Sequence, residues 1–426
     1  MKRRDFIRCA ALGLGALSLA PSFSLAGAGR KRVVVVGGGF GGLTAARYVK
    51  RLNPALEVVL IERSEKFISC PISNWVLVGK RAMADISFAY DSLEGQGIKV
   101  IHDEIIGLDA SAGYVQGKSG RYAYDRLIVA PGIDFREELI EGYDQRAKDL
   151  FPHAWHAGPQ TLQLQQQLAA LPAAGTVMMT VPASPYRCPP GPYERASLIA
   201  DYLKLNKPGA RLIVVDPHPR IASKTALFQS AWDDYYHDVI DYRTEQTVVA
   251  VNVEKKTVTT QTGEIRADVI NLIPSQKAAA LTFLLGLVPE GELWAPVKAQ
   301  TMESKQIPGV YVIGDATDAR TSGPMPKSGY VANSMGKVAA AAVVAELAGK
   351  KAPIPWFANT CYSMVNMTEA IYITGVYQYD PVLDTTITVN EGTKVSSGRS
   401  ALYGRYAEDW GPAIWADMLG TSVSIR

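Results

Sequence analysis

The chain has four cysteines, Cys9, Cys70, Cys188 and Cys361, and no two are close enough in sequence to make the C-x-x-C pair of a metal or local redox site. Cys188 lies in PYRCPPGPYE, residues 185–194, beside four prolines and a glycine. Proline restricts the backbone, so little entropy is lost in holding the sulfur still. A helical pattern begins at about Tyr193, which puts Cys188 just ahead of a helix N-terminus, where the dipole favours a thiolate and so nucleophilic or redox chemistry. A structural disulfide in a loop stiffened for packing is the alternative. Either way, the partner must come from elsewhere in the chain.

The N-terminus decides which cysteines remain. Lys2-Arg3-Arg4-Asp5-Phe6-Ile7-Arg8, an apolar stretch from Cys9 to Ala20 and the small residues Ala26-Gly27-Ala28 have the order of a twin-arginine export signal over residues 1–28. The apolar stretch is well short of the ~20 residues that span a bilayer. These features predict a cleaved leader, a periplasmic protein exported folded with its cofactor, and no integral membrane segment afterwards. Residues 1–28 hold Lys2, Arg3, Arg4 and Arg8 against Asp5, so the formal charge of +3 falls to zero on their removal. A neutral chain has no basic field, and nucleic-acid binding gains no support. Cys9 leaves with the leader. Of the remaining three, either one thiol stays free in an oxidising compartment, or two pair while the third is consumed by other chemistry.

The elements that position these sulfurs follow from a length of 426 residues, 47% hydrophobic and 20% charged, enough for two or three domains. Residues 32–36 read as a β-branched strand, followed by Gly37-Gly38-Gly39-Phe40-Gly41-Gly42, a helical pattern through Leu52, and a strand 58–61 ending at Glu62, with Arg63 beside it. Strand, G-x-G-x-x-G, helix, strand and acid together predict a dinucleotide site: the glycines let a pyrophosphate approach, and Glu62 meets a ribose. The stretch 124–132, with Ala130, resembles the strand that closes the first half of the FAD domain in two-dinucleotide-domain flavoproteins. The stretch 309–316, with Gly314 and Asp315, resembles their second FAD signature, and the helix 328–348 follows, opening with Ser328 and Gly329. The FAD domain is therefore predicted to be discontinuous, 29–150 and 275–352.

Residues 151–274 repeat the pattern with one change. A strand 176–181, a helix from about 193 to 205 and a strand 211–216 ending in Asp216 form a second Rossmann-like unit, but the expected glycine loop is replaced by residues 182–192, where prolines have no N–H to offer a phosphate. The unit is predicted to lack a functional NADH site. Residues 353–426 read as a small C-terminal α+β domain, with strands near 370–376 and 385–389 and an aromatic-rich tail whose Trp410 and Trp415 are assigned to core packing. The predicted fold is α/β, two three-layer Rossmann-like domains of the glutathione-reductase-like flavoprotein type plus this C-terminal piece.

With its degenerate second unit and cysteines at 70, 188 and 361, nearly the whole mature chain resembles the flavoprotein subunits of flavocytochrome c sulfide dehydrogenases. The resemblance implies that Cys70 carries FAD covalently through a thioether, and that Cys188 and Cys361 form a redox-active disulfide beside the flavin. It further implies that hydrosulfide opens this disulfide, leaving a persulfide on Cys188 and a flavin-facing thiolate on Cys361. Glu194 would accept the proton, and the N-terminus of helix 328–348 would face the flavin. No C-x-x-C-H occurs in the chain, so no haem is expected on it. The resemblance supplies the electron acceptor as a separate c-type, often dihaem, cytochrome subunit in a heterodimer. No metal ligands are expected. Three rivals are a sulfide:quinone oxidoreductase-like enzyme, which calls for amphipathic C-terminal helices that the tail is not expected to form, a non-catalytic flavoprotein that regulates a sulfur-oxidising complex, and an NADH-dependent disulfide or persulfide reductase, which requires the glycine loop that is missing.

Overall fold

The valines of Arg32–Val36 form strand β1 in the computed structural model, which describes residues 30–389 and 392–421; the leader expected over 1–28 lies outside the described residues. All four valines are buried, which requires cover on both faces of the strand and suits the middle of a parallel sheet. The glycine turn opens into helix α1 (Phe40–Leu52), followed by β2 (Glu57–Ile61), a one-turn helix α2 (Ser73–Leu77), β3 (Ile98–Ile101) and β4 (Arg126–Val129). The second unit runs β5 (Thr176–Thr180), α3 (Gly191–Asn206), β6 (Arg211–Val215), α4 (Thr225–Tyr235), β7 (Ile240–Arg243) and β8 (Val269–Asn271). The chain then returns to the first sheet through β9 (Val310–Val312) and crosses into α5 (Gly329–Leu347). The two sheets are parallel, in the orders β9-β4-β1-β2-β3 and β7-β6-β5-β8. These are the two Rossmann-like units of the predicted class.

The C-terminal piece is an antiparallel sheet of β10 (Trp356–Met364), β11 (Ala370–Asp380), β12 (Thr385–Thr388) and β13 (Lys394–Val395), followed by α6 (Ala401–Leu419). Two sequence expectations change here. Strand β10, which carries Cys361, had no counterpart in the sequence reading. The aromatic-rich tail is a 19-residue helix although it contains Gly404, Gly411 and Pro412. Its Ala407, Ile414, Trp415, Met418 and Leu419 are buried, so tertiary packing outweighs weak helix propensity.

One domain edge also moves. Residues 29–150 were expected to belong to the FAD domain, yet Ile140, Tyr143, Ala147 and Phe151 pack in one apolar cluster with Met178, Val215 and Ile270 of the second unit. Glu141 also exchanges backbone hydrogen bonds with Val249 and Val251, so the chain joins the second unit about ten residues earlier than expected.

Candidate active site

The parallel strands end at a cavity of about 1010 Å3, at the upper end of the roughly 300–1,000 Å3 common for small-molecule sites. One end of it is the glycine turn. Gly37 has φ +101°, and a Cβ there would lie 2.4 Å from the Ala130 carbonyl oxygen. A Cβ on Gly42 would lie 1.8 Å from the Gly37 carbonyl oxygen, so both positions require glycine, whereas Gly39 faces open space. No side chain caps the N-terminus of α1, and its first turn holds no acid. Glu62 lines the cavity while its carboxylate accepts from the N–H groups of Gly38 (2.6 Å) and Ser64 (2.8 Å). Phe40, Gly41, Arg63 and Ala130 complete this wall.

Further along, Gly314, Asp315, Ser328 and Gly329 line the same cavity. Asp315 Oδ1 is buried without a hydrogen-bond partner among the described residues, and so are the indole N–H groups of Trp155 and Trp410, all three facing the cavity. Burial raises the Asp315 carboxyl, with Arg187 and Lys327 opposing. A buried polar atom without a partner costs free energy unless a ligand satisfies it. A glycine cradle at one end, an unpaired carboxylate midway and indole donors beyond suit a bound FAD. Trp410, assigned to core packing, is thus a cavity residue, while Trp415 is fully buried and donates to Ser69 Oγ (3.1 Å).

The far wall carries the sulfurs. Cys188 is held in the left-handed region (φ +59°), which costs a non-glycine residue about 1–2 kcal/mol. Its N–H donates to the Lys327 carbonyl (2.7 Å), tying the loop to the segment after Asp315. Cys361 arrives on β10, and the two side chains, both thiols in this structure, share a hydrogen bond. This contact makes them unequal. Donation from Cys188 pulls the Cys361 thiol down to about 7, and Lys224 adds to the effect. The same hydrogen bond, with burial, pushes Cys188 well up. The Glu194 charge in the first turn of α3 adds to the rise at Cys188, while Lys224 opposes it.

Glu194 lines the cavity and is 8% exposed. Its carboxylate accepts from Asn74 Nδ2 (3.0 Å), Trp75 Nε1 (3.3 Å) and the Met364 N–H (3.0 Å). Burial raises its pKa, and these donors offset only part of the rise. Cys70 lines the cavity at the entrance to α2, where its sulfur accepts from the Ala157 N–H (3.5 Å). Sequence reading missed Asn74, Trp75, Arg187, Arg195 and Lys224. Arg195 is buried beside Glu194, held by Asn74 Oδ1 and Asn271 Oδ1 (2.9 Å each) and stacked over Trp155. Only its adjacency to Glu194 signalled it; Lys224 has the sequence look of a solvated helix start.

Asp216, the acid that would hold a nicotinamide ribose, is fully buried. It accepts from the hydroxyls of Tyr193 and Tyr242 (2.7 Å each) and from the N–H and ring Nδ1 of His218 (2.8 and 2.7 Å). Its acceptor capacity is used internally.

Fold and site together define a flavoprotein built on two Rossmann-like units, with a thiol pair at the FAD cavity. Residues 161–274 match the family described as Sulfide dehydrogenase (flavocytochrome c) flavoprotein chain, central; residues 353–419 match Flavocytochrome c sulphide dehydrogenase, flavin-binding; residues 31–169 match Pyridine nucleotide-disulphide oxidoreductase. The sulfide dehydrogenase (flavocytochrome c) flavoprotein chain of Chlorobaculum thiosulfatiphilum is 54% identical over 48 residues, 11% of this chain and 100% of that sequence. The mitochondrial sulfide:quinone oxidoreductase of Mus musculus is 25% identical over 340 residues, 74% of this chain and 72% of that protein. In fold, the sulfide:quinone oxidoreductase of Aquifex aeolicus superposes with a TM-score of 0.72 at 21% identity, over 92% of this chain and 93% of that one. The chain belongs to the flavocytochrome c sulfide dehydrogenase flavoprotein family.

Proposed function

We propose that this flavoprotein oxidises sulfide in the periplasm through a Cys188–Cys361 disulfide and hands the electrons to a c-type cytochrome subunit. The observation that carries the reading is the contact of two cysteines, distant in sequence, on the wall of the FAD cavity. The leader supports export by the twin-arginine route, and the neutral remainder suits docking through a mixed, partly apolar surface.

Gly37, Gly39, Phe40, Gly41, Gly42, Glu62, Arg63, Ala130, Gly314, Asp315, Ser328 and Gly329 would hold FAD, with a thioether from Cys70. When bound, FAD accepts an electron pair and releases it one electron at a time, which suits a haem acceptor. Hydrosulfide attacks Cys188 Sγ: a new S–S bond forms there, the Cys188–Cys361 bond breaks, and its electron pair stays on Cys361 as a thiolate. Glu194, with its raised pKa, takes the hydrosulfide proton. A second hydrosulfide removes the outer sulfur as HSS−, and closure of the two thiolates into the bridge releases an electron pair. Two HS− thus become HSS−, a proton and two electrons.

Anaerobic mixing of the oxidised holoprotein with sulfide tests this. The wild type is expected to bleach, whereas Cys188→Ser and Cys361→Ser keep the oxidised flavin spectrum. A wild type that stays yellow would instead point to the regulatory reading, and bleaching by NADH at micromolar concentrations would contradict the account of the 182–192 loop.

A further inference from the structure

We propose that Lys224 is a positioning residue that reinforces the Cys188 hydrogen bond in favouring Cys361 over Cys188 as the thiolate of the reduced pair; the inference rests on the reading of the pair as the redox centre. Lys224 lies at the N-terminus of α4 in the left-handed region (φ +55°) and is 6% exposed. Its Nζ donates to the Cys361 carbonyl oxygen (3.0 Å) and to Ser363 Oγ (2.9 Å). Residues 361 and 363 are two apart on β10, so their side chains leave the same face of the strand. An ammonium bonded to Ser363 Oγ therefore stands on the side of β10 from which the Cys361 sulfur projects.

Both acceptors are neutral, and a buried ammonium is costly without an anion nearby. Cys188 from the loop before α3, Glu194 from the first turn of α3 and Lys224 itself face Cys361, while Arg195 faces Cys188 and Glu194. Burial lowers the Lys224 pKa below the ordinary lysine value; of the anions that oppose this, Cys361 has the largest effect, ahead of Glu194 and Cys188, and the lysine acts on the Cys188 thiol only as the last of its influences. The arrangement directs attack. When hydrosulfide bonds to Cys188 Sγ, the Cys188–Cys361 bond breaks and its electron pair goes to Cys361, the better leaving group because its thiolate is the more stable.

The test is alkylation of the reduced holoprotein with iodoacetamide from mildly acidic to alkaline pH, with each cysteine read by peptide mass. In the wild type Cys361 should label ahead of Cys188, with a midpoint near 7. Lys224→Met should move the Cys361 midpoint up by about one unit, so that its labelling near neutrality falls about ten-fold. Lys224→Arg should retain the wild-type midpoint, and Ser363→Ala, which frees one anchor of the ammonium, should shift it by a smaller amount. An unmoved Cys361 midpoint in Lys224→Met overturns the proposal, as does preferential labelling of Cys188 in the wild type. Should Lys224→Met not fold, an unmoved midpoint in Ser363→Ala overturns it instead. The labelling needs no sulfide: if the midpoint moves as stated while Cys361→Ser still bleaches with sulfide, the role of Lys224 stands and the redox reading fails.

Discussion

Cys70 shows how much one residue's position decides. Its carbonyl accepts from the Ser73 N–H (3.1 Å) and hydroxyl (2.7 Å), which turns the chain into α2 and leaves the sulfur on the cavity wall. With a thioether there, acid precipitation should leave the yellow colour with the protein, and the Cys70 peptide should carry the added mass of the flavin. A colourless pellet with an unmodified Cys70 peptide would contradict the covalent link. Cys70→Ser should then bind flavin that acid releases. Glu194 is judged by its surroundings in the same way. Its three N–H donors fit a carboxylate, and its burial makes proton uptake easier, a combination suited to a base that must also release its proton. Replacement by Gln should slow bleaching by sulfide on the order of a hundred-fold, and an unchanged rate would remove it from the mechanism.

Among the elements, α6 departs furthest from sequence expectation. Gly404 and Gly411 weaken it as an isolated helix by about 1 kcal/mol each relative to alanine. Yet a Cβ on Gly404 would meet the Thr368 carbonyl oxygen at 1.9 Å, and one on Gly411 would meet Ile72 Cδ1 at 2.4 Å. The helix uses glycine to seat itself on the molecule. Gly404→Ala should therefore lower stability by about 1–3 kcal/mol despite its better propensity, visible as a lower Tm in thermal unfolding. A higher Tm would show that propensity, not close packing, governs the position. The β1 turn is the opposite case, an element that could be read in advance. Its glycines at 37 and 42 are demanded by contacts within one strand–turn–helix unit and with the adjacent β4, so the motif carries its own explanation.

For the whole molecule, the question is where the electrons go. No described helix is long and apolar enough to cross a membrane. The C-terminal helix that a quinone-linked relative would call for does exist, contrary to the sequence reading, but Ile414, Trp415, Met418 and Leu419 on it are turned inward and buried. Leu402 and Tyr406 on the same helix are exposed, and the proposed function takes a protein acceptor. In the presence of sulfide the holoprotein should reduce a c-type cytochrome, with a rate that falls less than about ten-fold between low and physiological salt if residues 1–28 are removed, because the remainder is formally neutral and steers weakly. Faster reduction of a soluble quinone than of cytochrome would favour the rival reading.

The sequence by itself determined the dinucleotide turn, the second FAD segment, the missing glycine loop at 182–192 and the oddness of the cysteine count, because each is local: a turn that admits only glycine, or a proline that lacks an N–H, means the same in any fold. Tertiary structure alone decided that Asn74 and Trp75 bind Glu194, and it is β10 that brings Cys361 against Cys188, a pairing that the family resemblance implied but the residues by themselves left open. It also decided that Tyr193 and Tyr242 occupy Asp216, and that Lys224 is a buried cation behind the thiol pair. These depend on desolvation and on approach between segments far apart in the chain. A lysine before a helix reads the same in sequence whether it meets water or a cysteine's strand, and only packing separates the two.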